Sequence, residues 1–287
     1  MKVQKEQGCM KIAFYGKGGI GKSTVAANVS AALAMQGLKT LHIGCDPKAD
    51  SARCLVGRKI PTVLQQLHAK RLGISRQDIV FPGFGGVNCI EAGGPEAGIG
   101  CAGRGIITMM EELKYLELWN EAWDVVVYDV LGDVVCGGFS VPMREGYADK
   151  IFIVTSSEFM SIYAANNIMK AITRSQESRP VILGGLVHNC RNGDSSRVAV
   201  ERFAFLTNTQ IVAEIPFSRE IARSELEGQT VLEKFPNSMA AYFFKELAGD
   251  ITRIQGYRPA KALDDDELEK LSHYMLDLEL RTELGTV

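Results

Sequence analysis

The chain has 287 residues, of which 46% are hydrophobic and 23% charged, and its formal net charge is −2. That length suits one large α/β domain or two small ones, and the near-neutral balance argues against a general polyanion binder. No apolar run reaches the roughly 18 residues of a membrane span, and the polar start Met1–Met10 lacks the apolar core of a signal peptide, so the expectation is a cytoplasmic protein that binds neither nucleic acid nor membrane.

In chain order, residues 1–10 read as an N-terminal extension. The apolar run Ile12-Ala13-Phe14-Tyr15 then leads into Gly16-Lys17-Gly18-Gly19-Ile20-Gly21-Lys22-Ser23 and on to the Ala-rich stretch Ser23–Gln36. The octapeptide fits the phosphate-binding pattern G-x-x-x-x-G-K-[ST] at every required position, and it has the strand–loop–helix setting the pattern needs. Gly16, Gly18, Gly19 and Gly21 let backbone N–H groups turn in around phosphate oxygens, at a helix N-terminus whose dipole favours anions. Lys22 is placed to reach the β/γ-phosphates, Ser23 to ligate Mg²⁺, and Thr24 to follow them on the nucleotide. Lys17 is not required by the pattern. It is either a solvated surface charge or a charge aimed at a phosphate from across a subunit boundary.

Further strands are expected at 39–44, 87–91, 124–129, 150–155, 181–188 and 210–215, besides the first at 11–15. They are short, apolar and non-alternating, as strands covered on both faces are. Helical patterns lie near 23–36, 61–70, 104–118, 161–174, 195–206 and 219–228. The alternation predicts an α/β fold: one P-loop NTPase domain over 11–256, with a mostly parallel sheet and helices on both faces. After Gly256-Tyr257-Arg258-Pro259 comes a charged tail, 257–287, whose Asp264-Asp265-Asp266-Glu267 suits a helix N-terminus.

Two strand ends carry acids. The second strand runs into Cys45-Asp46-Pro47-Lys48-Ala49-Asp50, and the strand Val125-Val126-Val127-Tyr128 ends in Asp129, with Asp133 four residues on. Ligands of open α/β sheets bind at the carboxyl ends of strands, and an apolar strand ending in Asp is how P-loop proteins hold Mg²⁺ at their second acidic position. A single Asp in such a place is as often a turn former; four at two P-loop-side strand ends point to a site.

Of the seven cysteines, Cys45, Cys54, Cys89 and Cys190 lie in or beside apolar segments and Cys9 in the N-terminal stretch, whereas Cys101 and Cys136 are flanked by glycines. No C-x-x-C pair is present. A free Cys is usually a small buried hydrophobe, which suits the first group and not the second. Two thiolates do not complete a four-thiolate iron–sulfur site, but a two-fold dimer offering the same pair from each chain does.

The segments Gly16–Ser23, Cys45–Ser51, Glu91-Ala92-Gly93-Gly94-Pro95, Gly100–Gly105, Tyr128–Phe139 and Tyr163-Ala164-Ala165-Asn166-Asn167 resemble the nitrogenase iron protein family, a branch of the deviant P-loop ATPases in which the lysine after the first glycine reaches the partner subunit's nucleotide. The resemblance implies a homodimer bridged by one [4Fe–4S] cluster, with MgATP driving docking and one-electron transfer to a larger metalloprotein, and with ferredoxin or flavodoxin as electron donor. On it, Cys101 and Cys136 match the cluster ligands. Lys17, Lys22 and Ser23 match the phosphate and Mg²⁺ contacts, Asp46 and Asp50 the first switch, and Asp129 and Asp133 the second. Lys17, Asp46 and Asp133 are thereby the residues implied in catalysis. Arg104 matches an arginine that some members carry ADP-ribosylated, and Asn189 and Pro216 match positions lining the adenine pocket. Beyond Pro216 the pattern departs, with Phe217-Ser218 and Ala222 in place of polar or charged residues. The segment Thr155–Tyr163 is more similar to nitrogenase-like relatives, which serve tetrapyrrole or methylthio-alkane reductases, than to nitrogenase proper. The expected function is therefore an ATP-dependent reductase of a nitrogenase-like catalytic partner, with a true dinitrogenase reductase as the alternative. A MinD/ParA-type positioning ATPase shares the P-loop and Lys17, but it needs a basic or membrane-binding tail that this acidic one is not.

Overall fold

The computed structural model describes residues 8–70, 73–94, 102–132, 141–144, 146–177, 181–190, 197–256 and 259–283. Eight strands form one sheet in the order β3-β4-β2-β5-β1-β6-β7-β8. They are β1 (Met10–Tyr15), β2 (Thr40–Gly44), β3 (Phe81–Pro82), β4 (Asn88–Glu91), β5 (Val125–Asp129), β6 (Lys150–Thr155), β7 (Ile182–Asn189) and β8 (Ile211–Ile215). All neighbours pair in parallel except β3 with β4, which are antiparallel. Every expected strand forms within two residues of its expected bounds. The additional strand is the two-residue β3 at the edge, too short to leave a periodicity in the sequence. A short edge strand also limits the open hydrogen-bonding row that an edge exposes.

The central strands alternate between two apolar layers. Ile12, Phe14, Val125, Val127, Phe152 and Val154 face one side, where α1 (Lys22–Met35) and α11 (Met239–Arg253) pack. Ala13, Tyr15, Leu41, Ile43, Val126, Tyr128, Ile151 and Ile153 face the other, covered by α5 (Ala102–Tyr115), α7 (Phe159–Gln176), α8 (Arg197–Leu206) and α12 (Asp265–Glu283). Parallel strands sandwiched in this way bury both pleat faces, hence the continuous Val/Ile/Leu runs rather than strict alternation. On the first side Phe14 and Phe152 lie with ring centroids 5.8 Å apart, and Gly184 in β7 leaves the room: a Cβ there would meet the Phe152 ring at 2.4 Å.

The stretch 229–256, for which the sequence reading offers no element, contains α10 (Val231–Lys234) and α11. Ala240, Ala241, Phe244, Leu247, Ala248 and Ile251 form the buried stripe of α11, a helical spacing that is legible in the sequence. Ser238 caps the helix by accepting from the Ala241 N–H at 3.2 Å. Because α11 covers one face of α1 and the sheet covers another, α1 is buried nearly all round, and that holds the phosphate-loop helix in place.

The C-terminal segment is tied to the opposite layer. The buried Asn166 amide donates to the Leu263 carbonyl at 2.9 Å and accepts from the Leu263 N–H at 2.8 Å. Gln176 accepts from Ala260 N–H at 3.0 Å, and Leu268 and Leu271 enter the apolar core. Replacing Asn166 by Ala strands both backbone groups in an apolar layer. The expected outcome is a loss of about 2–4 kcal/mol in denaturant unfolding, with proteolysis near 259–264 faster than in the wild type.

Candidate nucleotide site at the carboxyl edge of the sheet

The carboxyl ends of β1, β2, β7 and β8 converge on a cavity of about 430 Å³, within the range of small-molecule sites. Gly18, Gly19, Gly21, Lys22, Ser23 and Thr24 line it, together with Asp46, Lys48, Asp50, Asn189, Pro216, Phe217, Ser218, Ile221, Ala222 and Glu225. The sequence-expected residues Gly18 to Thr24, Asp46, Asp50, Asn189 and Pro216 are thus brought to one place. Gly16, Lys17 and Asp129 do not line it. Cys101, Cys136 and Asp133 lie outside the described residues.

Two glycines show why the loop has its sequence. Gly21 has φ 98° and caps α1, and a Cβ on it would come within 2.4 Å of the Asn189 side-chain nitrogen. Both the left-handed backbone and that contact favour glycine. The contact arises because Asn189, at the end of β7, donates to the Ile20 carbonyl at 2.7 Å. Gly132 does the same on the other side: a Cβ on it would lie 1.6 Å from the Gly16 carbonyl oxygen. The segment after β5 therefore rests directly on the backbone of the phosphate loop.

Lys22 is only 7% exposed, and its ammonium donates to the Lys17 carbonyl at 3.0 Å. Asp129 is 2% exposed. Burial holds its carboxyl above the usual carboxylate range, against the opposing pull of the Lys22 charge and of the Ser23 and Ser51 hydroxyls. Ser51 donates to Asp129 Oδ2 at 2.6 Å, whereas Asp129 Oδ1 is buried with no hydrogen-bond partner among the described residues. The first acidic segment is a tight turn, in which Asp46 accepts from the Lys48 N–H at 2.9 Å, the Ala49 N–H bonds the Asp46 carbonyl at 3.0 Å, and Ala49 takes φ 52°.

Several residues at this edge carry no role in the sequence reading. Glu91, at the end of β4, accepts from the Ala52 N–H at 2.6 Å, and its other oxygen is buried without a hydrogen-bond partner among the described residues. Burial first, then the nearby Asp129, Asp50 and Asp46 charges, push its carboxyl up to about 8, the Ala52 N–H opposing them. Its signal was the same as that of Asp129: an acid closing an apolar strand. Three residues on, a Cβ on Gly94 would come within 2.6 Å of Pro47, so the chain leaving β4 lies against the first acidic turn. On the far rim, the Thr24 hydroxyl donates to Glu225 in α9 (Arg219–Leu226), and Arg53 donates to the Glu225 and Leu226 carbonyls at 2.7 and 3.3 Å. Contacts some 200 residues apart leave no local pattern.

Four of the described cysteines are unlike metal-ready thiolates. Burial pushes the thiols of Cys9, Cys45, Cys54 and Cys89 up, Cys54 to about 11, so they stay protonated, and thiolate is the ligating form.

Residues 10–277 match the family described as 4Fe–4S iron sulfur cluster binding proteins, NifH/frxC family. The chain belongs to that family. It is 50% identical over 270 residues to a nitrogenase iron protein of Methanospirillum hungatei, covering 93% of this chain and 96% of the relative. It is 46% identical over 260 residues to a nitrogenase iron protein 2 of Methanothermobacter thermautotrophicus, covering 91% and 96%. Among solved structures it resembles the cell division ATPase MinD of Pyrococcus furiosus, with a TM-score of 0.68 and 23% identity over 86% of this chain and 99% of that one. That likeness is one of fold, the P-loop ATPase architecture. No helix among the described residues is long and apolar enough to cross a membrane.

Two outcomes follow from this geometry. Gly132→Ala is expected to displace the phosphate loop and weaken nucleotide binding at least about tenfold, since an overlap with backbone is not relieved by a rotamer change; equilibrium dialysis with ATP checks it. Glu91 has a folded pKa raised above its unfolded value, so its contribution to stability is greatest below about pH 4.5 and is lost as pH rises toward about 8. Glu91→Gln keeps an acceptor for Ala52 and removes the titration, so the difference in Tm, variant minus wild type, is expected to grow between pH 5 and 8.

Proposed function

We propose that this protein is an ATP-dependent reductase that passes single electrons from a subunit-bridging [4Fe–4S] cluster to a larger, nitrogenase-like metalloprotein. The observation that carries the reading is the family match over residues 10–277, joined to a cavity built from the phosphate loop and the acidic segment after β2. The residues present suit MgATP: glycines make room for a phosphate chain, Lys22 supplies a buried charge, and the unpartnered Asp129 oxygen offers an acceptor to a metal-bound water.

In this reading Lys22 leaves the Lys17 carbonyl for the phosphates, and Ser23 and Asp129 hold the Mg²⁺ side. Asp46, Asp50 and Asp133 respond to the γ-phosphate. Asn189 and Pro216 flank the base, with Phe217, Ile221 and Glu225 replacing the contacts in which the sequence departs from the family pattern. Lys17, which does not line the cavity of its own chain, serves the partner subunit's nucleotide in a homodimer. Cys101 and Cys136 of each chain hold the cluster, which supplies one-electron chemistry when bound. Two contacts relay the nucleotide state: Gly132 against Gly16, beside the chain that leads to Cys136, and Gly94 against Pro47, beside the chain that leads to Cys101. Loss of the γ-phosphate releases such segments, as in other nucleotide switches.

The acceptor we infer is of the tetrapyrrole or methylthio-alkane reductase kind, with ferredoxin or flavodoxin as donor; the segment Thr155–Tyr163 supports it. The second reading, a dinitrogenase reductase, is favoured by the relatives at 46–50% identity that are named nitrogenase iron proteins. Reconstitution with each partner class, using dithionite and MgATP, separates them: dinitrogen or acetylene reduction at full rate with a nitrogenase partner establishes the second and leaves the reductase reading standing. For the reductase itself, anaerobic protein is expected to hold about four iron atoms per dimer, and Cys101→Ala or Cys136→Ala to lose them while Cys54→Ala keeps them. Iron chelation should accelerate with MgATP in the wild type and not in Lys22→Ala; equal rates with and without MgATP would sink the coupling.

A further inference from the structure

A row of three buried hydrogen bonds crosses the sheet behind the nucleotide site. Ser30 lies within α1, His42 in the middle of β2, Ser51 on the first switch and Asp129 at the end of β5, and none is more than 2% exposed. Ser30 Oγ is 2.9 Å from His42 Nδ1, His42 Nε2 is 2.8 Å from Ser51 Oγ, and Ser51 Oγ donates to Asp129 Oδ2 at 2.6 Å.

The proton inventory sets the direction of the row. The single Ser51 proton goes to Asp129 Oδ2, to which Ser51 Oγ donates at 2.6 Å. The Ser51 oxygen must then accept from His42, which places the imidazole proton on Nε2. Nδ1 is left as an acceptor, and Ser30 donates to it. Burial lowers the His42 pKa to about 3, so the ring is neutral at working pH, the state that this arrangement requires.

The apolar layer gives no reason for a histidine here. Its register partners on the same face of the sheet, Cys89 in β4 and Val127 in β5, are buried apolar residues. A buried polar pair gains little stability over apolar residues of similar size. What the pair does is leave the Ser51 proton one destination. With Oδ2 so engaged, Oδ1 is the Asp129 oxygen left without a hydrogen-bond partner among the described residues, on a carboxylate that feels the Lys22 charge and the Ser23 hydroxyl.

We infer that His42, oriented by Ser30, is a positioning residue for hydrolysis: it fixes the Ser51 proton on Asp129 Oδ2 and so presents Asp129 Oδ1 to the metal side of the nucleotide. This deepens the reductase reading and rests on its assignment of Asp129 to the Mg²⁺ side.

The test uses the full-length dimer and three variants, His42→Leu, Ser30→Ala/His42→Leu, and His42→Gln. The double variant removes the hydroxyl that the single one strands. The Gln amide keeps a donor toward Ser51. ATP hydrolysis is titrated with Mg²⁺, ATP binding is measured in EDTA, and Tm is recorded. Both Leu variants are expected to need about tenfold more Mg²⁺ for half-maximal hydrolysis, the equivalent of one oriented hydrogen bond, with metal-free ATP binding within about twofold of wild type. His42→Gln is expected to recover most of the loss. A folded double variant with wild-type Mg²⁺ dependence would overturn the inference, and so would a Gln variant as impaired as the Leu variants. Where both Leu variants fail to fold, Ser30→Ala alone decides. Freeing the tautomer should raise the Mg²⁺ requirement about threefold, and no change refutes the role. A wild type that hydrolyses ATP in a Mg²⁺-dependent way while the variants match it removes only this inference; a wild type that does not hydrolyse ATP removes the reductase reading with it.

Discussion

A buried carboxylate at the end of the middle strand is the constraint around which the nucleotide side is built. Burying Asp129 is costly unless its oxygens are paired or reserved for a cation, and the surroundings answer that cost on one oxygen only, through Ser51. The strand order makes this possible. β5 lies between β2 and β1, so the acidic segment after β2 and the glycine-rich loop after β1 reach the same carboxylate from its two sides. The Cys45 N–H bonds the Asp129 carbonyl at 2.9 Å and the Val130 N–H bonds the Phe14 carbonyl at 3.0 Å, continuing the parallel ladder past the strand ends into the loops that carry the chemistry.

The same packing that makes the site also ties it to the neighbouring chain. Gly132 touches the phosphate loop through backbone, and Gly94 touches Pro47. Contacts of this closeness transmit a displacement because neither partner has a flexible side chain to absorb it. Glu91 adds a charge-sensitive link between β4 and the start of α2 (Arg53–Val56) through the Ala52 N–H. Gly132 stands four residues before Cys136 in the sequence, and Glu91 and Gly94 stand ten and seven residues before Cys101.

The far rim has a different logic. α9 is held over the cavity by Thr24 and by Arg53, residues of the phosphate-loop helix and of the helix after the first switch. This rim is thus braced by the phosphate-loop helix and by α2, although its own side chains, Phe217, Ile221 and Ala222, are mainly apolar. Ser218 starts α9 by accepting from the N–H groups of Glu220 and Ile221 at 3.2 and 3.4 Å, a local device that needs no partner element.

Local pattern was enough to determine the α/β class, seven of the strands, the phosphate loop and the acids that close β2 and β5, because each depends on spacing within one segment: a glycine frame, a hydrophobic run, an acid at its end. The α11 stripe was equally legible, while the two-residue β3 was not. Tertiary structure alone decided which of those residues meet. Asn189 reaches Ile20, Glu225 reaches Thr24, and Glu91 reaches Ala52 across long stretches of chain. The Ser30–His42–Ser51–Asp129 row joins four elements in which each polar residue, read alone, is an ordinary interruption of an apolar run. Hydrogen-bond partners separated by tens to hundreds of residues leave no periodicity in a single sequence, and so the strand order, which brings their ends to one edge, is what turns separate motifs into a site.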